Sequence, residues 1–360
     1  MKQFVHLCAG AVLLAFGGSA LAEVPLTVRL AAVTEKAAGS SQSVRWSISN
    51  SGEQSVLVLR WETPLDGMSR SLFNVQSGGV DAPYADKIVH WGHPHAKDFV
   101  EVRPGETLSA VVRLDDHYAM TRAGNYTVNY RGELTYMLKV NRQKSAVGEL
   151  EDLGEVVLEA DPVLIRAAGR DASWYAALGS SGGPVMMQKA LGYASCSSSQ
   201  QSTINTAHNS AKTYASNSLA YLNAGSTGPR YTTWFGSYSA TRYSTVKSHF
   251  SKINNVLQNL TTTYDCYCTP SAASAYAYVY PNEAYRIHLC NAFWAAPNTG
   301  TDSRAGTIIH EQSHFTVNGG TDDHAYGQTA AKKLARTNPT RATDNADNHE
   351  YFAENTPAQN

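Results

Sequence analysis

The stretch TIIHEQSH at residues 307–314 contains the pattern H-E-x-x-H. On a helix, His310 and His314 are one turn apart on the same face, so both rings can bind one Zn²⁺. Glu311 would then lie beside the metal, where its carboxylate can deprotonate a bound water. Apolar residues precede the motif and the pair Gly319-Gly320 follows it, as expected for a helix that ends there. The stretch predicts a catalytic zinc site on a helix.

A catalytic zinc requires a third protein ligand and an open fourth position. Val317 and Gly320 stand where the metzincin pattern needs Gly and His. A thermolysin-like Glu is also missing, because no acid lies between Asp323 and Asp344. Asp322 and Asp323 directly follow the glycine turn and can fold back to the metal. On spacing alone, either of these two acids is a candidate third ligand.

The first 22 residues have the features of a secretory signal peptide. Lys2 gives a positive start, an apolar run covers residues 5–16, and Ala20-Leu21-Ala22 forms an A-x-A cleavage signal before Glu23. The run is shorter than the roughly 18 apolar residues of a membrane span, and no later stretch approaches that length. We therefore expect a secreted, extracellular protein without a membrane partner.

Four cysteines follow the signal peptide: Cys196, Cys266, Cys268 and Cys290. An even number in an exported chain predicts two disulfides. Cys266 and Cys268 are separated by one residue, which disfavours a bond between them. Two connectivities stay open, in which Cys196 pairs with either Cys266 or Cys268.

The N-terminal half has the pattern of an all-β domain. Residues 23–176 contain short runs that alternate apolar and polar side chains, separated by glycine and proline turns, and this predicts an antiparallel β-sandwich. KIVHW at residues 87–91 is one of these strands. No catalytic constellation is evident here, because His90, His93 and His95 fit a strand end and a turn better than a metal site.

The C-terminal half is predicted to be mainly helical, an α+β domain over residues 190–360. It follows a Gly- and Ser-rich linker and maturation region at residues 177–189. YAYVY and YRIHL, at residues 276–280 and 285–289, predict a small β-hairpin. Apolar spacing predicts helices over residues 196–224, 243–260, 303–317, 329–337 and 346–355.

The residues after the zinc motif, GTDDHAYG at 320–327, resemble the G-T-x-D-x-x-Y-G pattern of the deuterolysin family, the aspzincins. The resemblance extends over essentially all of residues 193–360. It is closest to the peptidyl-lysine metalloendopeptidase branch of the family, which cleaves on the amino side of Lys. The resemblance selects the disulfides Cys196–Cys266 and Cys268–Cys290. The further stretches that carry it are RYTTWFGS (230–237), DCYC (265–268), YVYPN (278–282), CNAFW (290–294) and NADNHEY (345–351).

The same resemblance implies roles for single residues. Asp323 would be the third ligand of one Zn²⁺, and Tyr326 would hydrogen-bond the oxyanion that forms during peptide hydrolysis. Asp347 and Glu350, three residues apart on the last helix, would bind the lysine side chain in the S1′ pocket. A buried ammonium requires fixed negative charge of this kind, because desolvation otherwise makes its binding unfavourable.

Together these features predict a secreted zinc endopeptidase that is made as an inactive precursor and cleaves Xaa–Lys bonds. The N-terminal β domain would be a propeptide that inhibits the enzyme, with Lys139, Lys144 or Lys189 as candidates to occupy the S1′ pocket. The rival interpretation is that residues 23–189 remain attached as a substrate-binding or adhesion module. Cleavage before Lys189 by the enzyme itself would remove the propeptide. Its partners would be protein and peptide substrates and its own propeptide.

Two alternatives remain on sequence alone. One is a deuterolysin-type protease of broad specificity, and the other is a non-catalytic secreted binding protein with a structural zinc, against which Glu311 argues. The chain has 29 Lys and Arg against 30 Asp and Glu, so its net charge of −1 gives no basic field for nucleic acid. We expect the protein to be a monomer.

Overall fold

The computed structural model of the chain describes residues 24–33, 42–138, 154–178 and 191–360. The predicted signal peptide lies outside the described residues. So do the linker from residue 179 onward and the three lysines named as pocket candidates, Lys139, Lys144 and Lys189.

The N-terminal part consists mainly of β-strands, as its alternating sequence predicts. A short helix, α1 (Ala172–Ala177), follows the last of them. The strands are β1 (Leu26–Val33), β2 (Ser43–Asn50), β3 (Val56–Leu59), β4 (Asn74–Ser77), β5 (Val80–Asp81), β6 (Ile88–His90), β7 (Phe99–Val102), β8 (Thr107–Arg113), β9 (Gly124–Leu138) and β10 (Gly154–Ala167).

Two antiparallel sheets of this part share one hydrophobic core. The first has the order β1-β2-β8, and the second has the order β5-β4-β9-β3-β7 with β10 also paired to β9. Trp46 from the first sheet meets Tyr130 from the second edge to face, with ring centroids 5.8 Å apart. Both rings are buried. The sandwich therefore closes on side chains that alternate inward along facing strands.

The C-terminal part is mainly helical with a small sheet, also as predicted. Its helices are α2 (Ser198–Asn223), α3 (Pro229–Phe235), α4 (Ala240–Asn259), α5 (Asn291–Ala295), α6 (Arg304–His314), α7 (Gly327–Thr337), α8 (Pro339–Ala342) and α9 (Ala346–Glu354). Its strands are β11 (Gly192–Ala194), β12 (Thr263–Asp265), β13 (Ala277–Val279) and β14 (Arg286–Leu289).

Helix α6 lies at the centre of this part, and its residues from 305 to 314 are all buried. It starts at Ser303, whose hydroxyl accepts the backbone N–H of Gly306. Gly306 allows α6 to approach α9 closely. A Cβ at this position would lie 2.2 Å from Glu354 Oε1 and 2.8 Å from Glu350 Oε1, which no side chain can tolerate without movement.

The small sheet joins the two parts of the chain. Its order is β11-β12-β14-β13-β6, so β6 of the N-terminal part adds antiparallel to β13 of the C-terminal part. The prediction of a strand in KIVHW is confirmed, but its assignment to the sandwich is wrong. The edge of β13 presents unpaired backbone groups, and β6 satisfies them across the domain boundary.

Most C-terminal elements agree with the sequence prediction, including the β13–β14 hairpin. Both disulfides selected by the resemblance are present, Cys196–Cys266 and Cys268–Cys290. Helix α6 ends at His314 rather than at Val317, and the prediction did not include α3. Within the described part of the chain, no helix combines the length and the apolar character needed to cross a bilayer.

Candidate active site

Helix α6 brings the three residues of the H-E-x-x-H motif to one buried position. His310, Glu311 and His314 have no solvent exposure. The rings of His310 and His314 lie 4.8 Å apart between centroids, since positions i and i+4 share a helix face. The local sequence therefore places these three side chains within one turn of each other wherever α6 packs.

The loop after α6 brings Asp323 back to these rings. Asp323 Oδ1 lies 3.1 Å from His310 Nε2 and 3.5 Å from His314 Nε2. The turn uses Gly320 at φ +62°, and the Thr321 N–H donates to the Ser313 carbonyl. Of the two acids that spacing allowed as third ligand, Asp322 and Asp323, it is Asp323 that lies against the two histidine rings.

Asp322 is directed away from the two rings. Its carboxylate accepts the backbone N–H of Asp323, and its own backbone pairs with Asn345 and Asp344 at the start of α9. This pairing ties the loop to α9 and turns the next side chain, Asp323, inward.

The side chains fit a zinc ion. His310 Nε2, His314 Nε2 and Asp323 Oδ1 are buried, lie within 4.8 Å of one another, and have no hydrogen-bond partner among the described residues. Two imidazole nitrogens and one carboxylate oxygen form a donor set typical of a zinc site with an open position. Buried polar atoms without any partner would destabilise the folded state, so these three atoms are suited to bind a ligand.

The other nitrogen of each histidine faces an acceptor, which leaves Nε2 for a metal. His314 Nδ1 lies 2.7 Å from the Thr321 carbonyl oxygen. His310 Nδ1 lies 2.9 Å from Asp347 Oδ1 and 3.2 Å from Glu350 Oε2, although its N–H does not point straight at either oxygen. Contacts of this kind orient metal-binding histidines in proteins.

Burial and close charges shift the pKa values of these groups. Burial alone would raise the pKa of Asp323, but His310 and His314 hold it well below its usual range. Burial alone would lower the pKa of His310, and the surrounding acids, Asp323 first, instead raise it well above 6.5. Burial raises the pKa of Glu311 to about 7. Glu311 can therefore gain or lose a proton near neutral pH.

Asp347 and Glu350 lie on the first turns of α9, next to His310. Both are almost fully buried, and Glu350 Oε1 and Oε2 have no hydrogen-bond partner among the described residues. Burial raises the pKa of both carboxyls, that of Glu350 well above its usual range. Two buried acids without a cation are unfavourable, so this pair is suited to receive a positively charged group.

Tyr326 precedes α7 and directs its hydroxyl into the same site. Its Oη lies 3.0 Å from Asp323 Oδ2 and 3.0 Å from the backbone carbonyl oxygen of Val89. Burial and the Asp323 carboxylate raise the pKa of Tyr326 well above 10, so the phenol keeps its proton and acts as a donor.

The sequence interpretation missed His90. Its ring stacks on that of His310 with centroids 3.6 Å apart and an interplanar angle of 8°. Its Nε2 lies 3.6 Å from Asp347 Oδ1 and 3.5 Å from Glu350 Oε2. No local signal distinguishes His90 from the exposed His93 and His95 nearby, because its position depends on the pairing of β6 with a distant strand.

Arg70 is a second N-terminal residue that reaches the site. Its guanidinium is buried and Nη1 donates to the backbone carbonyl of Asp323. The three lysines predicted as candidates to fill the pocket, Lys139, Lys144 and Lys189, all lie outside the described residues. Among the described N-terminal residues, His90 lies beside Asp347 and Glu350.

A helical H-E-x-x-H motif joined by a buried aspartate, with a tyrosine donor opposite, is the arrangement of a metallopeptidase. A family profile described as lysine-specific metallo-endopeptidase, the aspzincins, matches residues 220–354. That range contains every residue that the sequence analysis assigned to the site.

Relatives support the same class. The "Extracellular protease" of Aeromonas hydrophila is 37% identical over 331 residues, which cover 89% of this chain and 91% of that protein. The peptidyl-Lys metalloendopeptidase of Pleurotus ostreatus is 54% identical over 167 residues, which cover 46% of this chain and 98% of that protein. A solved structure titled zinc peptidase from Grifola frondosa is 55% identical, covers 46% of this chain and 100% of its own, and has a TM-score of 0.44. The chain belongs to the aspzincin family and is a metalloendopeptidase.

Proposed function

We propose that the protein is a secreted zinc endopeptidase with lysine preference at P1′, made as a precursor that its N-terminal domain inhibits. The observation that carries this proposal is that two sets of buried polar atoms without hydrogen-bond partners among the described residues lie side by side and meet at His310. One is the donor set His310, His314 and Asp323, and the other is the buried acid pair Asp347 and Glu350.

His310, His314 and Asp323 would hold the zinc ion through the atoms that lack other partners. Bound zinc supplies Lewis acidity that polarises the scissile carbonyl and makes water a better nucleophile at neutral pH. Glu311 accepts the proton from that water and returns it to the amine that leaves. Tyr326 donates a hydrogen bond to the carbonyl oxygen as negative charge grows on it.

Asp347 and Glu350 would give the lysine preference. A lysine ammonium that enters the cavity leaves water, and only fixed negative charge offsets that loss. An uncharged P1′ side chain would leave the two acids unpaired, which disfavours its binding. The name of the Pleurotus relative, a peptidyl-Lys metalloendopeptidase, supports this assignment.

The precursor proposal is supported by the position of β6. This strand occupies the edge of β13 beside the proposed catalytic residues, where an extended substrate would pair. The N-terminal signal pattern and the name of the Aeromonas relative, an extracellular protease, support secretion. Self-cleavage before Lys189 stays a prediction.

Mapping the new N-termini in a digested proteome tests the function. The secreted wild-type protein should generate N-termini that are overwhelmingly Lys, and Glu311→Gln should generate none above background. Zinc content, measured by mass spectrometry of the purified proteins, should be about one per chain in both. Efficient cleavage without Lys enrichment would overturn the specificity and favour a broad deuterolysin-type protease. Absence of cleavage by a zinc-loaded, processed wild type would favour a binding protein.

A further inference from the structure

Strand β6 lies in the site in the manner of a substrate, and the orientation of its backbone is the first sign. β6 runs antiparallel to β13 with His90 opposite Ala277, Val89 opposite Tyr278, and Ile88 opposite Val279. The backbone N–H of Tyr276 donates to the His90 carbonyl at 2.9 Å. Peptides that add to a sheet edge bind through this kind of main-chain pairing.

The Val89 carbonyl occupies the position that a scissile carbonyl needs. Tyr326 Oη, the proposed oxyanion donor, lies 3.0 Å from the Val89 oxygen. The next residue along the chain, His90, places Nδ1 3.7 Å from Glu311 Oε1. The peptide bond between Val89 and His90 is therefore the bond presented to the proposed catalytic groups.

The side chain of His90 occupies the place of a P1′ side chain. It lies between the ring of Tyr276, at 5.0 Å between centroids, and the ring of His310, at 3.6 Å. Its Nε2 approaches the two acids of the lysine pocket, Asp347 and Glu350, and the residue is only 5% exposed. The aromatic ring fills the pocket without supplying the ammonium group that the pocket is proposed to select.

The N-terminal domain holds this strand from its other side. The Val89 N–H donates to the Ser69 carbonyl at 3.0 Å, and neighbouring Arg70 donates to the Asp323 carbonyl. Trp91 stacks on Trp61 with centroids 5.0 Å apart and an interplanar angle of 6°. These contacts anchor the strand on both sides of the peptide bond between Val89 and His90.

We infer that residues 88–90 form a decoy substrate, in which His90 replaces lysine at P1′ so that the inhibitory strand fills the cleft and is not cleaved. The inference rests on the proposed lysine preference. It assigns to a single residue, His90, the distinction between an inhibitor and a substrate. A lysine at this position should turn the bond between Val89 and residue 90 into a cleavage site.

The first test uses the full-length chain with His90→Lys. Hydrolysis would break the C–N bond after Val89, add the water oxygen to the Val89 carbonyl carbon and leave a protonated amine on residue 90. Mass spectrometry should detect a new N-terminus at position 90 in this variant and none in the wild type. His95→Lys is the matched control, because His95 is exposed and five residues beyond position 90, so the chain should not be cut at this new lysine. His90→Lys combined with Glu311→Gln should stay intact.

The second test avoids any effect on folding. A peptide of residues 88–95, IVHWGHPH, and the same peptide with lysine at position 90 are offered to the processed wild-type enzyme. The lysine peptide should be cleaved before residue 90 at least about 100-fold faster than the histidine peptide, which should act as a competitive inhibitor. Cleavage rates within about threefold of each other, or absence of inhibition, would overturn the decoy.

An unrelated peptide with one lysine separates this failure from failure of the proposed function. If the enzyme cleaves that peptide before its lysine and yet leaves both the lysine-substituted peptide and the His90→Lys chain intact, the decoy is wrong and the lysine preference stands. If it does not prefer lysine in the unrelated peptide, both are wrong.

Discussion

The two parts of the chain use buried charge differently. In the C-terminal part, four buried acids, Glu311, Asp323, Asp347 and Glu350, lie around His310 at one site. In the N-terminal part, the sandwich core is apolar and aromatic, and the two buried polar side chains that matter here, Arg70 and His90, face the other part. The comparison teaches that one part carries all the residues of the candidate site that the sequence predicted, and that Arg70 and His90 of the other part contact them.

Glu311→Gln is the strongest test of this division. Loss of the general base should lower kcat/KM for a lysine peptide by about 10³-fold, because the amide cannot accept the proton from water. Both proteins should be processed by the same added protease before the assay, so that the N-terminal part does not contribute. Zinc content should not change. Activity within about tenfold of wild type would break the assignment of chemistry to α6.

Asp347→Asn and Glu350→Gln should each reduce lysine preference. We expect a loss of about 10²-fold in kcat/KM for a lysine peptide, since the ammonium loses half of its countercharge in a buried pocket. The measurement is the ratio of kcat/KM for Lys against Ala at P1′. Asp344→Asn is the matched control, because its side chain is 53% exposed and pairs with His324 instead. An unchanged ratio in both pocket variants would contradict the pocket.

Gly306→Ala tests whether the stability of the C-terminal part depends on the close approach of α6 and α9. The added methyl would meet Glu354 Oε1 at 2.2 Å, so the buried carboxyl groups or the helices that carry them must shift. We expect a loss of about 1–3 kcal/mol in the free energy of unfolding. Thermal denaturation followed by circular dichroism measures the change. A Tm equal to that of wild type would show that the carboxylates move aside freely.

His208 predicts how the stability of the C-terminal part depends on pH. The residue is buried beside Tyr264 Oη and the Leu257 carbonyl, and burial lowers its pKa to about 4. The unfolded chain therefore binds a proton first as the pH falls below about 6.5, and stability is lost between about pH 6.5 and 4 by up to about 3 kcal/mol. Buried His249 and His349, with pKa values of about 4 and about 3, act in the same direction.

His208→Gln should flatten the part of this pH dependence that His208 causes, measured as Tm from pH 7 to pH 4. The exposed His93→Gln serves as the control and should keep the wild-type slope. An identical slope in His208→Gln and wild type would contradict the burial argument.

The smallest effect is expected at the outer contact between the two parts. Glu155 Oε2 lies 3.0 Å from Lys333 Nζ, and both side chains are more than 40% exposed. Glu155→Gln should lower the free energy of unfolding of the full chain by less than about 1 kcal/mol. Differential scanning calorimetry at low and high salt checks this value. A larger loss would mean that surface charges, and not β6 with its flanks, hold the parts together.

Much of the candidate site was predictable because its parts lie close in sequence. His310 and His314 share one helix face with Glu311 beside it, and the turn at Gly320 returns Asp323 to them within nine residues of His314. Spacing alone could not choose between Asp322 and Asp323. The choice depends on the pairing of Asp322 with Asn345, which lies far along the chain.

The β13–β14 hairpin and the long helices followed from local periodicity in the same way. The place of β6 did not. KIVHW has the length and apolar content of a sandwich strand, and its side chains give no sign that its backbone pairs with β13, nearly two hundred residues later. Main-chain hydrogen bonds form this contact, and they carry no residue-specific signal.

The sequence by itself determined the residues on which the proposed chemistry rests: the H-E-x-x-H helix with its proposed metal ligands and general base, and two acids one turn apart on the last helix. These follow from the 3.6-residue period of a helix, which places the side chains as soon as the helix forms. Only the tertiary structure decided that His90 lies against those acids. An edge strand accepts any extended backbone that reaches it, so its partner is selected by the way the two parts pack and not by a local pattern.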